Sequence, residues 1–279
     1  MMWIIGIGHL LVGAAYSCLG LLSAWEAWSQ YRQRGLSRFG LGFSLMAASC
    51  GPHHLVHGWC VLNGGTVSPA LLAVTLLGLP AGLVFCLFRI EAALGGAGDR
   101  VVLASPVSVA ASTAAFLGAA GLLAGWAMVA PLAAPEQIVC TALGLQVIAA
   151  APAEPVLASL GLFSNVFVTA TYGMVGLYLA ATQVRRYVLD RSWSLSGLSL
   201  SAVFPTCAAM HLVSALTASH DTAALPFDLL GVPASVYFLW VVRRLHTNSV
   251  IDWNHRPLVG VASAPARDAP WNGKPTAMR

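Results

Sequence analysis

Charge is what this chain has little of. Only 9% of its 279 residues are Asp, Glu, Lys or Arg, while 58% are hydrophobic and the mean hydropathy is +0.76. A soluble domain carries about a quarter charged residues, so a polytopic membrane protein is expected instead. No Gly-rich phosphate loop and no basic-aromatic surface is present, and the net charge of +4 is explained better by its placement than by nucleic-acid binding. The first apolar stretch lacks a basic leading region, so no cleavable signal peptide is expected. Cysteines 18, 50, 60, 86, 140 and 207 lie in or near apolar runs without a spaced framework, so no disulfide scaffold is expected.

What is present are apolar runs near the ~20 residues that cross a bilayer. Seven spans are read at about 3–25, 39–62, 69–92, 103–130, 156–183, 195–218 and 225–245. Alternating the loops from an outside N-terminus puts all 14 Lys and Arg on one side, including Arg32, Arg89, Arg185, Arg191 and Arg243. Glu136, Glu154, His220 and Asp221 fall on the other. The positive-inside rule then predicts N-terminus out and C-terminus in, as a multi-pass protein of the cell membrane. Ile138 to Ala151 is apolar but too short to cross, and is expected as an interfacial or re-entrant helix.

Two of these spans nearly repeat each other. SCGPHHLVHGW (Ser49 to Trp59) and TCAAMHLVSAL (Thr206 to Leu216) each place a cysteine four residues before a histidine, at an offset of 157. The likeness extends outward: Tyr16 and Gly20 match Tyr172 and Gly176, Ser37 and Gly40 match Ser194 and Gly197, and LLGLPAG (Leu76 to Gly82) matches LLGVPAS (Leu229 to Ser235). Two parallel three-helix repeats are therefore expected, residues 1–95 and 156–246. A linker helix and outer loop in 96–155 restores the parallel orientation, and a disordered cytoplasmic tail occupies 247–279. Span four, rich in Ala, Gly and Ser, reads as that linker helix.

Thiol and imidazole at i and i+4 sit about 40° apart on a helix and can reach one ion. Cys50, His54, Cys207 and His211 are thus candidate ligands for a soft metal, Cu(I) or Zn(II). His9, His53, His57 and Met210 are candidates either to orient those ligands or to replace them. Tyr16, Tyr172 and Asn165 are singled out by matched position: Asn165 precedes Tyr172 by seven residues, as His9 precedes Tyr16. The HHxxH string of His53, His54 and His57 lacks the further histidines and carboxylates that a di-iron hydroxylase needs. Nothing points to a Ser-His-Asp hydrolase, and an enzyme is not expected.

CGPHHLVHGW (Cys50 to Trp59) resembles the second-helix motif of the ethylene receptors, Cys-Gly-x-x-His-Leu followed by tryptophan. Cys50, Gly51, His54, Leu55 and Trp59 match it, and Tyr16 matches the tyrosine of the first helix; His9 stands where that family has aspartate. Cys207, His211, Leu212 and Tyr172 carry the match a second time, with Ala208 for the glycine and Asn165 for the aspartate. The resemblance implies a three-helix domain that binds Cu(I) through Cys and His and holds a small unsaturated gas. A tandem of two units would be a single-chain equivalent of a receptor dimer, signalling through a separate output protein. The function expected is a small-gas or copper sensor. The alternatives are a membrane electron carrier or oxidase-assembly protein holding haem b between His54 and His211, or between His9 and a histidine of helix two, and a metal transporter. The bilayer is the expected environment, with no nucleic-acid partner.

Overall fold

A computed structural model describes residues 1–65, 67–129, 138–141, 144–147, 155–216, 223–247 and 258–259. Among the described residues there are seven helices: α1 (Met2–Arg34), α2 (Arg38–Leu62), α3 (Pro69–Ala93), α4 (Pro106–Val129), α5 (Pro155–Asp190), α6 (Leu195–Leu216) and α7 (Leu225–Thr247). Proline and serine mark several starts. Ser37 accepts from Gly40 N at 3.1 Å, Ser194 from Gly197 N at 2.9 Å, and Ser68 from Leu71 N at 3.1 Å. Each satisfies an amide that the first helical turn would leave without a partner.

Five helices are long and apolar enough to cross a membrane: Met2–Arg32, Pro69–Ala93, Ser159–Asp190, Leu195–Leu216 and Leu225–Thr247. α2 lacks the uniform hydropathy of the others because three histidines interrupt it. Among the described residues α4 supplies a shorter apolar stretch, Pro106–Ala119. α1 and α5 run past their expected ends. At 1.5 Å per residue, 33 residues extend about 50 Å, beyond a hydrocarbon layer of about 30 Å. On that overhang Arg89 of α3 binds both carboxylate oxygens of Glu26 of α1 at 2.5 Å.

The packing is an exchange. α1 packs on α2 and α3, and α5 on α6 and α7, but α3 also packs on α6 and α7 on α2. Small residues make the α1–α2 approach: a Cβ on Gly51 would lie 2.9 Å from Ser17 N, and one on Gly13 would lie 2.9 Å from Gly51 O. Close helix contact through such residues drives association where lipid is as apolar as leucine. Outward, α1 presents Trp3, Ile4, Ile7, Leu11, Leu21, Trp25 and Trp28. Inward, Tyr172, Phe204, Phe238, Leu19 and Leu179 are fully buried.

One expectation is corrected. Within 138–151, strands β3 (Ile138–Thr141) and β4 (Gly144–Val147) pair antiparallel, Ile138 opposite Val147, where a helix was expected. β-Branched Ile138, Val139, Thr141 and Val147 favour extended backbone, and the segment is too short for a span. In the tail expected to be disordered, Leu258–Val259 (β6) pair antiparallel with Leu36–Ser37 (β1). The other residues of the tail beyond Thr247 lie outside the described ones. A third pairing joins Val101–Val102 (β2) to Trp193–Ser194 (β5) and ties the α3–α4 connection to the start of α6.

Candidate functional site

Gly51 determines where the first histidine lands. Because it admits the α1 backbone, one turn later His54 meets His9, with Nδ1 to Nδ1 at 3.1 Å. Both rings are buried, and the Nε2 of each has no hydrogen-bond partner among the described residues. In a pair of neutral imidazoles one Nδ1 donates and the other accepts, so one of the two Nε2 atoms carries a bare lone pair. His57 lies beside them, its ring tilted against that of His9 with centroids 4.6 Å apart.

The second histidine is held by the matched residue. His211 Nδ1 lies 2.7 Å from Asn165 Oδ1. The amide nitrogen of Asn165 donates to Gly161 O at 2.8 Å and to Asp228 Oδ2 at 3.2 Å, both pure acceptors. That fixes the amide orientation, so the Asn165 oxygen faces His211 and His211 Nδ1 is the donor. A neutral His211 therefore keeps its lone pair on Nε2. A partner for one ring nitrogen is how metal-binding histidines are usually oriented.

The cysteines meet in the centre. Cys50 Sγ lies 3.1 Å from the hydroxyl of Tyr172, and Cys207 Sγ lies 3.3 Å from that of Tyr16. Each thiol thus touches the tyrosine of the other half. Tyr16, Tyr172, Cys50, Cys207, Met46 and Phe204 line a common cavity of about 10 Å³, the scale of one water-sized occupant. Cys18, Cys50, Cys86 and Cys207 are free thiols, whereas Cys60 at the end of α2 is disulfide-bonded, which the cysteine spacing gave no reason to expect.

Asp228 is the functional candidate that the sequence reading missed. It sits in the first turn of α7 at 5% exposure, the only buried carboxylate among the described residues. Its Oδ1 lies 2.6 Å from His53 Nδ1 and 4.0 Å from His211 Nδ1. The signal was available, because a carboxylate inside an apolar segment marks a functional position by default. Among the described residues, the group whose ligand atoms all fall within 4.8 Å is His53, His211 and Asp228. Cys50, His54, Cys207 and His211 do not close on one point in that way. Met210 lies instead in an apolar cluster with Ile5, Val61, Leu71, Leu72 and Val74.

Compared with known proteins, the chain matches no family model, no curated protein and no solved structure.

Proposed function

We propose that this chain is a multi-pass protein of the cell membrane that binds Cu(I) between its two halves and senses copper or a small gas through a partner protein. The observation that carries this reading is the reciprocal pairing of Cys50 with Tyr172 and Cys207 with Tyr16. It places two thiols side by side in a buried, apolar setting, where thiolate sulfur selects soft ions over hard ones. His211 donates from Nδ1 to Asn165 and keeps the Nε2 lone pair for coordination, and His54 does the same where its Nδ1 donates to His9. In that tautomer the buried Nε2 of His54 has no hydrogen-bond partner among the described residues, a cost of about 1–3 kcal/mol that coordination would relieve. Cu(I) would be held by Cys50 and Cys207, which line the cavity, with His54 and His211 brought in from outside its lining, and would supply a soft, low-coordinate centre. A cavity of about 10 Å³ accommodates an ion but not a porphyrin ring, which favours copper over haem b.

The membrane reading extends to seven spans in two parallel repeats, N-terminus out. The exchange of α3 and α7 between halves, the matched caps at Ser37 and Ser194, and the Tyr–Cys reciprocity all support a duplicated unit about a two-fold axis. The disulfide at Cys60 supports the orientation, because it lies at the end of α2 that faces the oxidising side. The resemblance to ethylene receptors supports the metal and the tandem arrangement. Protein expressed with ample copper is expected to purify with near-stoichiometric copper and no Soret band. Copper-free wild type, or copper retained by a Cys50→Ser/Cys207→Ser double variant, would refute the assignment.

A further inference from the structure

A second metal-ligating set lies beside the thiols, and it differs from them in chemistry. His53 comes from α2, His211 from α6 and Asp228 from α7, so the exchange of α7 onto α2 creates the group. All three are buried, and one ligand atom from each lies within 4.8 Å of the others. The carboxylate is already aimed. Asn165 holds Oδ2 through its amide at 3.2 Å, while Oδ1 faces His53 Nδ1 at 2.6 Å. A carboxylate in hydrocarbon requires a compensating positive charge. The ion-pair partners it has are these two imidazoles, which carry that charge only when protonated.

We infer that His53, His211 and Asp228 form a binding site for one divalent transition-metal ion of borderline softness, of which Zn(II) is the best fit. Two imidazoles and one carboxylate are a standard three-ligand set for such an ion and leave a fourth position open. Mg(II) and Ca(II) are disfavoured, because they require six or more oxygens and this group offers one carboxylate. Cu(I) is disfavoured because no thiolate belongs to the set. A tetrahedral ion at about 2.0–2.1 Å needs ligand atoms roughly 3.3 Å apart. The His53–Asp228 pair must open slightly and the widest pair must close by up to about 1.5 Å, movements within reach of side-chain rotation. Under the duplication the positions matching His53 and Asp228 are Met210 and Thr75, so the other half cannot form the same set. One such ion per chain follows. His211 belongs to both sites, so a divalent ion and Cu(I) compete for one imidazole.

Co(II) is the probe that separates the two sites. Metal-stripped full-length protein in detergent is expected to bind Co(II) with visible d–d bands, any thiolate-to-cobalt charge transfer marking occupancy of the cysteine site, and Zn(II) should displace it. His53→Ala and Asp228→Asn should each weaken Co(II) binding on the order of 100-fold or more, beyond the 10–100-fold of residues that only orient ligands. The Cys50→Ser/Cys207→Ser double variant should still bind one Co(II) per chain, with d–d bands and no charge transfer. His53→Gln, closer in shape to the imidazole, decides between the outcomes should Asp228→Asn fail to fold. No Co(II) binding by the cysteine double variant, or unchanged affinity when His53→Gln is added to it, would overturn the site. Copper content in the same variants tests the thiol site separately, so either proposal can fail while the other stands.

Discussion

The sulfur of Cys50 lies 3.1 Å from the hydroxyl of Tyr172, 122 residues away and on the other half of the bundle. Cys207 and Tyr16 repeat the relation at 3.3 Å. Two contacts of the same kind, made in opposite directions across the chain, bring both thiols to one cavity. The tyrosine at each matched position is therefore a partner of the opposite cysteine, which a single three-helix unit could not provide for itself.

Removing that partner should weaken the thiol site without emptying it. Tyr16→Phe and Tyr172→Phe keep the ring and lose the hydroxyl, and each should lower Cu(I) affinity about 10–100-fold. Competition with a calibrated Cu(I) chelator measures this. Equal losses in the two variants are expected from the reciprocal geometry, and no loss in either would separate the tyrosines from the metal.

Gly51 tests the approach of α1 to α2. A methyl group there would overlap Ser17 Oγ and come within 2.9 Å of Ser17 N. Gly51→Ala should therefore destabilise the bundle by about 1–3 kcal/mol, the usual cost of overpacking. Gly173→Ala, where nothing lies within 4 Å, should be neutral or stabilising. Thermal unfolding in detergent compares the two. A Gly51→Ala variant as stable as the wild type would show that α1 can yield.

Much of this arrangement was legible in the residues, and the reasons for the remainder are physical. Apolar run length located the seven helices found among the described residues, and the spacing of Tyr16, Cys50, Tyr172 and Cys207 marked the four residues that meet. The partnership of His53 with Asp228 was not legible, because it depends on α7 crossing to α2, a tertiary event without a local signature. The β3–β4 hairpin was hidden by its apolar character, which read as a short helix. The overhang of α1 and α5 was missed because hydropathy measures the bilayer and not the helix.

Asp99, in the connection between α3 and α4, gives a pH prediction outside the membrane-spanning helices. Burial works to raise its pKa, but hydrogen bonds from Ser194 Oγ, Ser196 N and Arg100 N outweigh it and hold the carboxyl below its usual value. A depressed folded-state pKa contributes stability that is present above the unfolded value, about 3.9, and is lost as pH falls through the folded one. Stability should fall as the pH drops below about 4. Asp99→Asn should remove that part of the acid dependence, as read by unfolding at a series of pH values. An unchanged acid profile in Asp99→Asn would mean other carboxylates dominate.

The proposed orientation makes a direct prediction. Reporter fusions after Gln33, Gln183 and Thr247 should report cytoplasm, and one after Ala134 should report the outside. The disulfide at Cys60 should then be reducible by an impermeant reductant in intact cells. A cytoplasmic report at Ala134 would reverse the parity of the spans and with it the parallel repeat.

His9 and Asn165 hold matched positions and make matched contacts, to His54 at 3.1 Å and to His211 at 2.7 Å. On the Asn165 side the contact is an acceptor oxygen facing an imidazole N–H. For His54 to coordinate through Nε2 its Nδ1 must likewise donate, which assigns the acceptor role to His9. An acceptor of another kind should then serve as well. His9→Asn, which copies the other half, should retain copper near the wild-type level. His9→Leu removes the acceptor while keeping apolar volume, and should lower Cu(I) affinity about 10–100-fold. Metal analysis of the purified variants, with chelator competition for affinity, reads both. If His9→Leu binds as tightly as His9→Asn, the acceptor is irrelevant and the imidazole pair is a packing contact between α1 and α2. If both variants lose copper completely, His9 is itself a ligand, and the bare Nε2 of the pair belongs to His9 and not to His54.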